Sequence, residues 1–228
     1  MVNIRVTKQE EIPHSTNAKR RVLARSIFQS YFPLLLVLWI LFVLYPNPLN
    51  LPVSIERVFD LDIDPGAVES MAGDLPSAPT AIEKAVLERI PYHYDWEVYS
   101  VPWYFPTVEE VLEKGEGDCK ARALVLASIF ELKSIPYRVN LSPIHAWVDY
   151  EGKEETSIEN AKVKFYQQDP ETGERWFQFP EIDLREVMDS IWRGFWHPMP
   201  DVRKALLISG LLALVGARVA LSKTRAAQ

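Results

Sequence analysis

The chain has 228 residues, one cysteine and a formal net charge of −6. A single thiol excludes an intramolecular disulfide and any cysteine-cluster zinc or iron–sulfur site. The charge is segregated: residues 1–25 carry four net positive charges and residues 203–228 five, which leaves fifteen net negative charges on residues 26–202. So acidic a centre argues against nucleic acid as a partner, because phosphate binding needs a basic surface.

After a basic tail over residues 1–25, the run SIFQSYFPLLLVLWILFVLY (26–45) has no charged residue. Twenty residues at 1.5 Å each span about 30 Å, the thickness of a bilayer core. Lys19, Arg20, Arg21 and Arg25 crowd its N-terminal side, which orients the tail to the cytoplasm and exports the chain beyond residue 45. A cleaved signal peptide is the rival reading. The run is long and starts late, and it ends in YPNPLNLP rather than a small-residue cleavage site.

NPLNLPVSIE (47–56) reads as a linker, and DIDPGAVESMAGDLP (62–76) as a short helix capped by Asp64 with Pro65 at its first position. Residues 46–79 are thus expected to hold a linker and one short helix. TAIEKAVLERI (80–90) pairs Thr80 with Glu83 as a capping box and lines up Ile82, Val86, Leu87 and Ile90. HYDWEVYSVPWYF (93–105) is aromatic and irregular. TVEEVLEKG (107–115) repeats the capping box with Thr107 and Glu110 and stops at a glycine. Asp118 then predicts an N-cap for CKARALVLASIFEL, a helix apolar nearly all round and therefore buried.

PYRVNL (136–141), HAWVDY (145–150), AKVKFYQ (161–167) and RWFQF (175–179) are rich in β-branched and aromatic residues and read as strands, with EGKE (151–154) and DPETG (169–173) as turns. IDLREVMDSIW (182–192) returns to a helical period. Helices first and an antiparallel sheet after them predict an α+β class. ALLISGLLALVGARVALS (205–222) predicts a second membrane helix if Arg218 reaches the headgroups, with an amphipathic surface helix as the alternative. Ser209, Ala213 and Ala217, spaced by four, would suit a helix–helix partner in the membrane, and Trp192, Phe195 and Trp196 an interfacial belt. The expectation is a membrane protein of two spans, both termini inside, with the acidic region outside.

The chemistry centres on Cys119. In the first turn of a helix, exposed N–H groups and the helix dipole are expected to favour the thiolate. A thiolate nucleophile needs a base. His14 falls on the cytoplasmic side, His197 beside the second membrane segment and His93 in an irregular stretch, so His145 on the next strand but one is the candidate. If EGKE closes a hairpin, Glu159 or Asn160 comes opposite His145 and would orient its ring; a longer loop would bring Asp169 there instead. No phosphate loop, nucleotide motif or metal-ligand cluster occurs, so no cofactor and no metal are expected.

GEGDCKARALVLASIFELKSIPYRVNL followed by HAWVDYEG resembles the transglutaminase-like superfamily over about residues 80–180. The matching pattern is G-D-C opening a central helix, a P-x-R strand, then H-x-W-V. The resemblance implies a papain-like domain over residues 80–200 whose cysteine helix packs on an antiparallel sheet. It also implies a Cys119–His145–acid triad. The family's usual acid is an aspartate before proline, supplied here by Asp169 and Pro170, whereas Glu159 is nearer to the histidine. The family also uses an aromatic residue upstream of the cysteine near the oxyanion, for which Trp103 or Tyr104 would serve. The implied activity is cysteine acyl transfer, in which the thioacyl-enzyme is resolved by water, as in a thiol peptidase or amidase hydrolase, or by another amine, as in a transglutaminase-like acyltransferase. The exported, membrane-attached position adds the expectation of peptide or protein amides at the outer face of the membrane. The alternative is a non-catalytic binding or assembly module of the same fold.

Overall fold

A computed structural model describes residues 14–154, 156, 158–159, 162–169, 172–179, 181 and 184–226. The chain divides into two compact units, one made of the end segments up to Val43 and from Val202, the other of Leu44–Asp201.

The end unit holds two helices, α1 (His14–Leu44) and the C-terminal helix Asp201–Ala226. Both are long and apolar enough to cross a membrane, over Ser26–Leu44 and Asp201–Ser222. They run antiparallel. Arg203 donates to the Val43 carbonyl at 3.1 Å, Gly210 lies against the Trp39 ring, and the Arg218 guanidinium stacks 4.3 Å from the centre of the Phe32 ring. A methyl added at Gly210 would fall 2.1 Å from Trp39, so the close approach needs glycine here. Within this unit Gly210 makes the contact rather than the Ser209, Ala213 and Ala217 row, and Arg218 finds an aromatic face. The second helix also begins earlier than residue 205.

The larger unit opens at the place expected to be a linker. Residues Asn50–Phe59 form a helix (α2), and Leu61, Val68, Ala72 and Leu75 join the same core as Ile82 and Val86. Residues 46–79 thus belong to the folded domain, because their apolar side chains complete its core. Tyr45, the last residue of the uncharged run, is buried in this unit and donates to the Trp103 carbonyl at 3.2 Å. Asp64 accepts from the Ala67 N–H and fixes a turn, so the short helix α3 starts only at Glu69 (Glu69–Ala72). α4 (Pro79–Arg89) begins with a proline whose φ is preset for a helix, and Ala78 precedes it without a side-chain cap. The expected Thr80–Glu83 box is not made: Glu83 is drawn to Tyr150 Oη and to Lys153 Nζ, 2.9 Å away. After α5 (Asp95–Val98), α6 (Val108–Lys114) does have the Thr107–Glu110 box and ends at Gly115 with φ 69°.

The central helix α7 (Cys119–Leu132) buries ten of its residues, from Lys120 to Phe130. Each large apolar side chain removed from water here contributes about 1.5–3 kcal/mol. It packs on a four-stranded antiparallel sheet, β1 (Tyr137–Leu141), β2 (Ala146–Tyr150), β3 (Tyr166–Gln168) and β4 (Arg175–Phe177), in the order β2-β1-β3-β4. The class is therefore α+β, with an antiparallel sheet and an apolar helix near each end. The third strand differs from expectation. EGKE does not close a hairpin onto β2; β3 crosses to the other side of β1, where Leu141 pairs with Tyr166 and the Phe165 N–H donates to the Leu141 carbonyl at 2.8 Å. That placement buries Tyr166 in the core. The third and fourth strands are also shorter than 161–167 and 175–179. α8 (Leu184–Ile191) then runs into a single π-helical turn, Trp192–Trp196, and the C-terminal helix is α9.

Candidate active site

The loop before α7 is tied down by backbone pairing. Gly117 N–H donates to the Pro91 carbonyl and His93 N–H to the Gly117 carbonyl, both at 3.1 Å. A Cβ at Gly117 would stand 2.4 Å from that of Ala121, so only glycine allows this loop to lie against the first turn of α7. Asp118 caps the helix, accepting from the Lys120 N–H at 3.0 Å and the Ala121 N–H at 3.4 Å. Cys119 is then the first helical residue, as the sequence predicts.

Behind the cysteine lies a charged triad that no motif announced. The Lys120 ammonium is buried between the carboxylates of Asp118, which it touches closely, and of Asp95, 3.0 Å away. Asp95 also accepts the Tyr104 N–H at 2.9 Å. Burial favours the neutral lysine, but Asp118 and Asp95 outweigh it and hold Lys120 charged far into alkali. Burial, with the Asp118 charge, raises the Asp95 carboxyl above its usual range despite Lys120.

The thiol departs from expectation. Burial pushes Cys119 up to about 12 and the Asp118 carboxylate adds to the effect, against the opposing Lys120 charge and a hydrogen bond from the Ala146 N–H. The helix start was expected to favour the thiolate. Here desolvation dominates, and the capping carboxylate that makes the helix start adds to it by repelling a second negative charge. At neutral pH the resting group is a thiol.

His145 is the last residue of the β1–β2 turn rather than the first of a strand, since the ladder begins at Ala146. Its N–H donates to Ser142 Oγ at 2.9 Å and its carbonyl accepts from the Ser142 N–H at 2.7 Å. Its ring stacks on Trp147, with 5.9 Å between centroids. Nε2 lies 2.8 Å from Glu159 Oε1. Glu159 belongs to the crossing connection between β2 and β3, so it reaches the histidine without any strand register. The bond to His145 lowers the Glu159 pKa, and Lys153, 3.5 Å away, assists. An ionised carboxylate only accepts, so Nε2 carries the hydrogen and, in the neutral ring, Nδ1 holds the free lone pair.

Cys119 and His145 line one cleft of about 390 Å³, together with Tyr92, Trp103 and Asp118. They also line an adjoining cavity of about 90 Å³ that Glu159 and Arg122 share. Among the described residues the sulfur accepts its hydrogen bond from the Ala146 N–H, the ring gives one to Glu159, and none joins the two. Of the other predicted residues, Trp103 is in the cleft, whereas the Tyr104 hydroxyl turns away, accepting from Arg57 and donating to Glu110 at 2.9 Å. Asp169, just after β3, pairs at 3.1 Å with Arg138, which precedes Ser142 of the histidine turn by four residues, about 13 Å of extended chain. Asn160 and Pro170 lie outside the described residues. Sequence reasoning missed Tyr92, whose ring borders both cavities and packs 5.1 Å from the Arg122 guanidinium; an isolated tyrosine in an aromatic stretch gives no signal. Among the described residues no three His, Cys, Asp or Glu side chains group as a metal site.

Set against protein-family models, curated proteins and solved structures, the chain gives no match.

Proposed function

We propose that the chain is a membrane-anchored, transglutaminase-like cysteine acyl-transfer enzyme that hydrolyses peptide or amide bonds on the extracytoplasmic side. One observation carries this reading: a cysteine at the N-terminus of the buried central helix and a histidine whose far nitrogen is held by a carboxylate open onto the same cleft. The positive flanks of the two membrane-length helices support an exported domain.

The geometry suits a thiol activated during attack. As the Cys119 sulfur bonds to the amide carbon, its proton passes to Nδ1 of His145, and Glu159 stabilises the imidazolium through Nε2. The carbonyl oxygen becomes an oxyanion at the start of α7, where Asp118 takes the Lys120, Ala121 and Arg122 N–H groups and the Cys119 N–H is left to donate. One preorganised oxyanion donor lowers the barrier by about 3–4 kcal/mol in other hydrolases. Trp103 borders that space. His145 returns the proton to the amine nitrogen as the C–N bond breaks, leaving a thioester on Cys119. Water then gives a proton to His145 and its oxygen to the acyl carbon, releasing a carboxylic acid and restoring the thiol.

The test is a peptidyl vinyl sulfone applied to the full chain in detergent micelles. An adduct on Cys119 that vanishes in His145→Ala supports the enzyme. The raised thiol pKa favours a second reading, a binding module whose cysteine is packing. An adduct that forms equally slowly in both proteins selects it.

A further inference from the structure

α8 and the π-helical turn after it present two surfaces. One faces the cleft: Ser190, Ile191 and Gly194 line it, and the turn is fastened by Trp96 Nε1, which donates to the Phe195 carbonyl at 2.7 Å. The other is apolar and uncovered. Leu184, Met188, Ile191 and Trp192 are 49–74% exposed. At 100° per residue they fall within an arc of about 100°, with Ser190 and Gly194 outside it, so Ile191 marks the border between the two surfaces.

The chain itself indicates what covers the apolar stripe. Trp196 precedes Asp201, the first residue of a helix long and apolar enough to cross a membrane, by five residues. Five residues reach at most about 18 Å. Trp192 and Trp196, their rings 6.5 Å apart, are the residue type that settles where lipid meets water. Charge does not drive the contact: residues 26–202 are acidic, and Arg193 is paired with Asp189 at 3.0 Å. We propose that the Leu184–Met188–Ile191–Trp192 face of α8 docks on the lipid surface of a membrane by apolar insertion, so that one wall of the Cys119–His145 cleft is seated on lipid. Resting on the hydrolase reading, the substrate is then an amide in a membrane-proximal segment.

The test uses the full chain with Cys119→Ser, reconstituted in phosphatidylcholine vesicles without anionic lipid. A nitroxide is attached to Met188→Cys, to Asp189→Cys or, as a control on α6, to Glu113→Cys. Relaxation by dissolved oxygen is compared with relaxation by a water-soluble nickel chelate. Insertion gives an oxygen-to-nickel ratio at least several-fold higher at 188 than at 113, with 189 near the control value. Equal ratios at 188 and 189, or both at the control value, overturn the proposal. Because Cys119 is absent from this protein, the outcome is independent of whether the chain is an enzyme.

Discussion

Glu159 holds the far nitrogen of His145 at 2.8 Å from a connection that belongs to no strand. The same carboxylate lies 3.5 Å from Lys153, which in turn bonds Glu83 on α4 at 2.9 Å. The ring is therefore oriented by a chain of charges anchored outside the sheet. Because this contact fixes which ring nitrogen carries the hydrogen, it decides which one faces the reaction.

Replacing Glu159 with Gln keeps the shape and removes the charge. The imidazolium that forms during attack loses its partner, and kcat is expected to fall by about 10²- to 10⁴-fold, the range that a positioned acid–base group supplies. The Glu159 pKa is lowered in the folded protein, so its contribution to stability is present above the usual carboxyl value of 4.5 and is lost as pH falls through the folded value. Thermal unfolding followed from pH 6 downward should show a steeper acid loss in the wild type than in Glu159→Gln.

The thiol supplies the alkaline counterpart. Cys119 is raised from 9.0 to about 12 in the fold. Between those values the unfolded chain has lost the proton and the folded one keeps it, so stability declines as pH rises from about 9 toward 12. Cys119→Ser should flatten that decline. Iodoacetamide labelling of the resting wild type should be slow at pH 7 and accelerate only in strong alkali, as mass spectrometry of timed aliquots would record.

Lys120 is the counter-ion of two buried carboxylates, Asp95 and Asp118. Lys120→Met strands both and should cost about 3–5 kcal/mol. Adding Asp95→Asn removes one stranded charge and should restore part of the loss. A double-mutant cycle by chemical denaturation measures the coupling, and strictly additive effects would refute the triad as a unit.

Gly117 is set by contact rather than by φ. Gly117→Ala drives a methyl against Ala121, and the first turn of α7 must shift to accept it. A loss of about 1–3 kcal/mol is expected, as for other overpacked sites, together with a larger fall in kcat than the stability change alone explains.

These residues also show what the sequence made legible. Local signals were readable: Asp118 capping α7, the Thr107–Glu110 box and the Gly115 stop all depend on neighbours within a few positions. The apolar run of α7 announced a buried helix because it has no polar face. The side of β1 taken by β3 was not readable, since strand pairing is decided by burial of Phe165 and Tyr166 far along the chain. Glu159 meets His145 although the hairpin used to place it is absent. The state of the thiol was hidden as well: the dipole argument concerns Cys119 alone, whereas Asp118 and desolvation act through the assembled site. Nor did spacing reveal Asp95, which reaches Lys120 across 25 positions.

The most direct measurement is rapid-mixing mass spectrometry of the full chain with a p-nitrophenyl ester, following the acyl group on Cys119. The proposed chemistry predicts a thioester that forms and decays in the wild type, is absent in Cys119→Ser, and forms at least 100-fold more slowly in His145→Ala. Equal acylation rates in wild type and His145→Ala would contradict it, because the cysteine would then be reacting without its histidine.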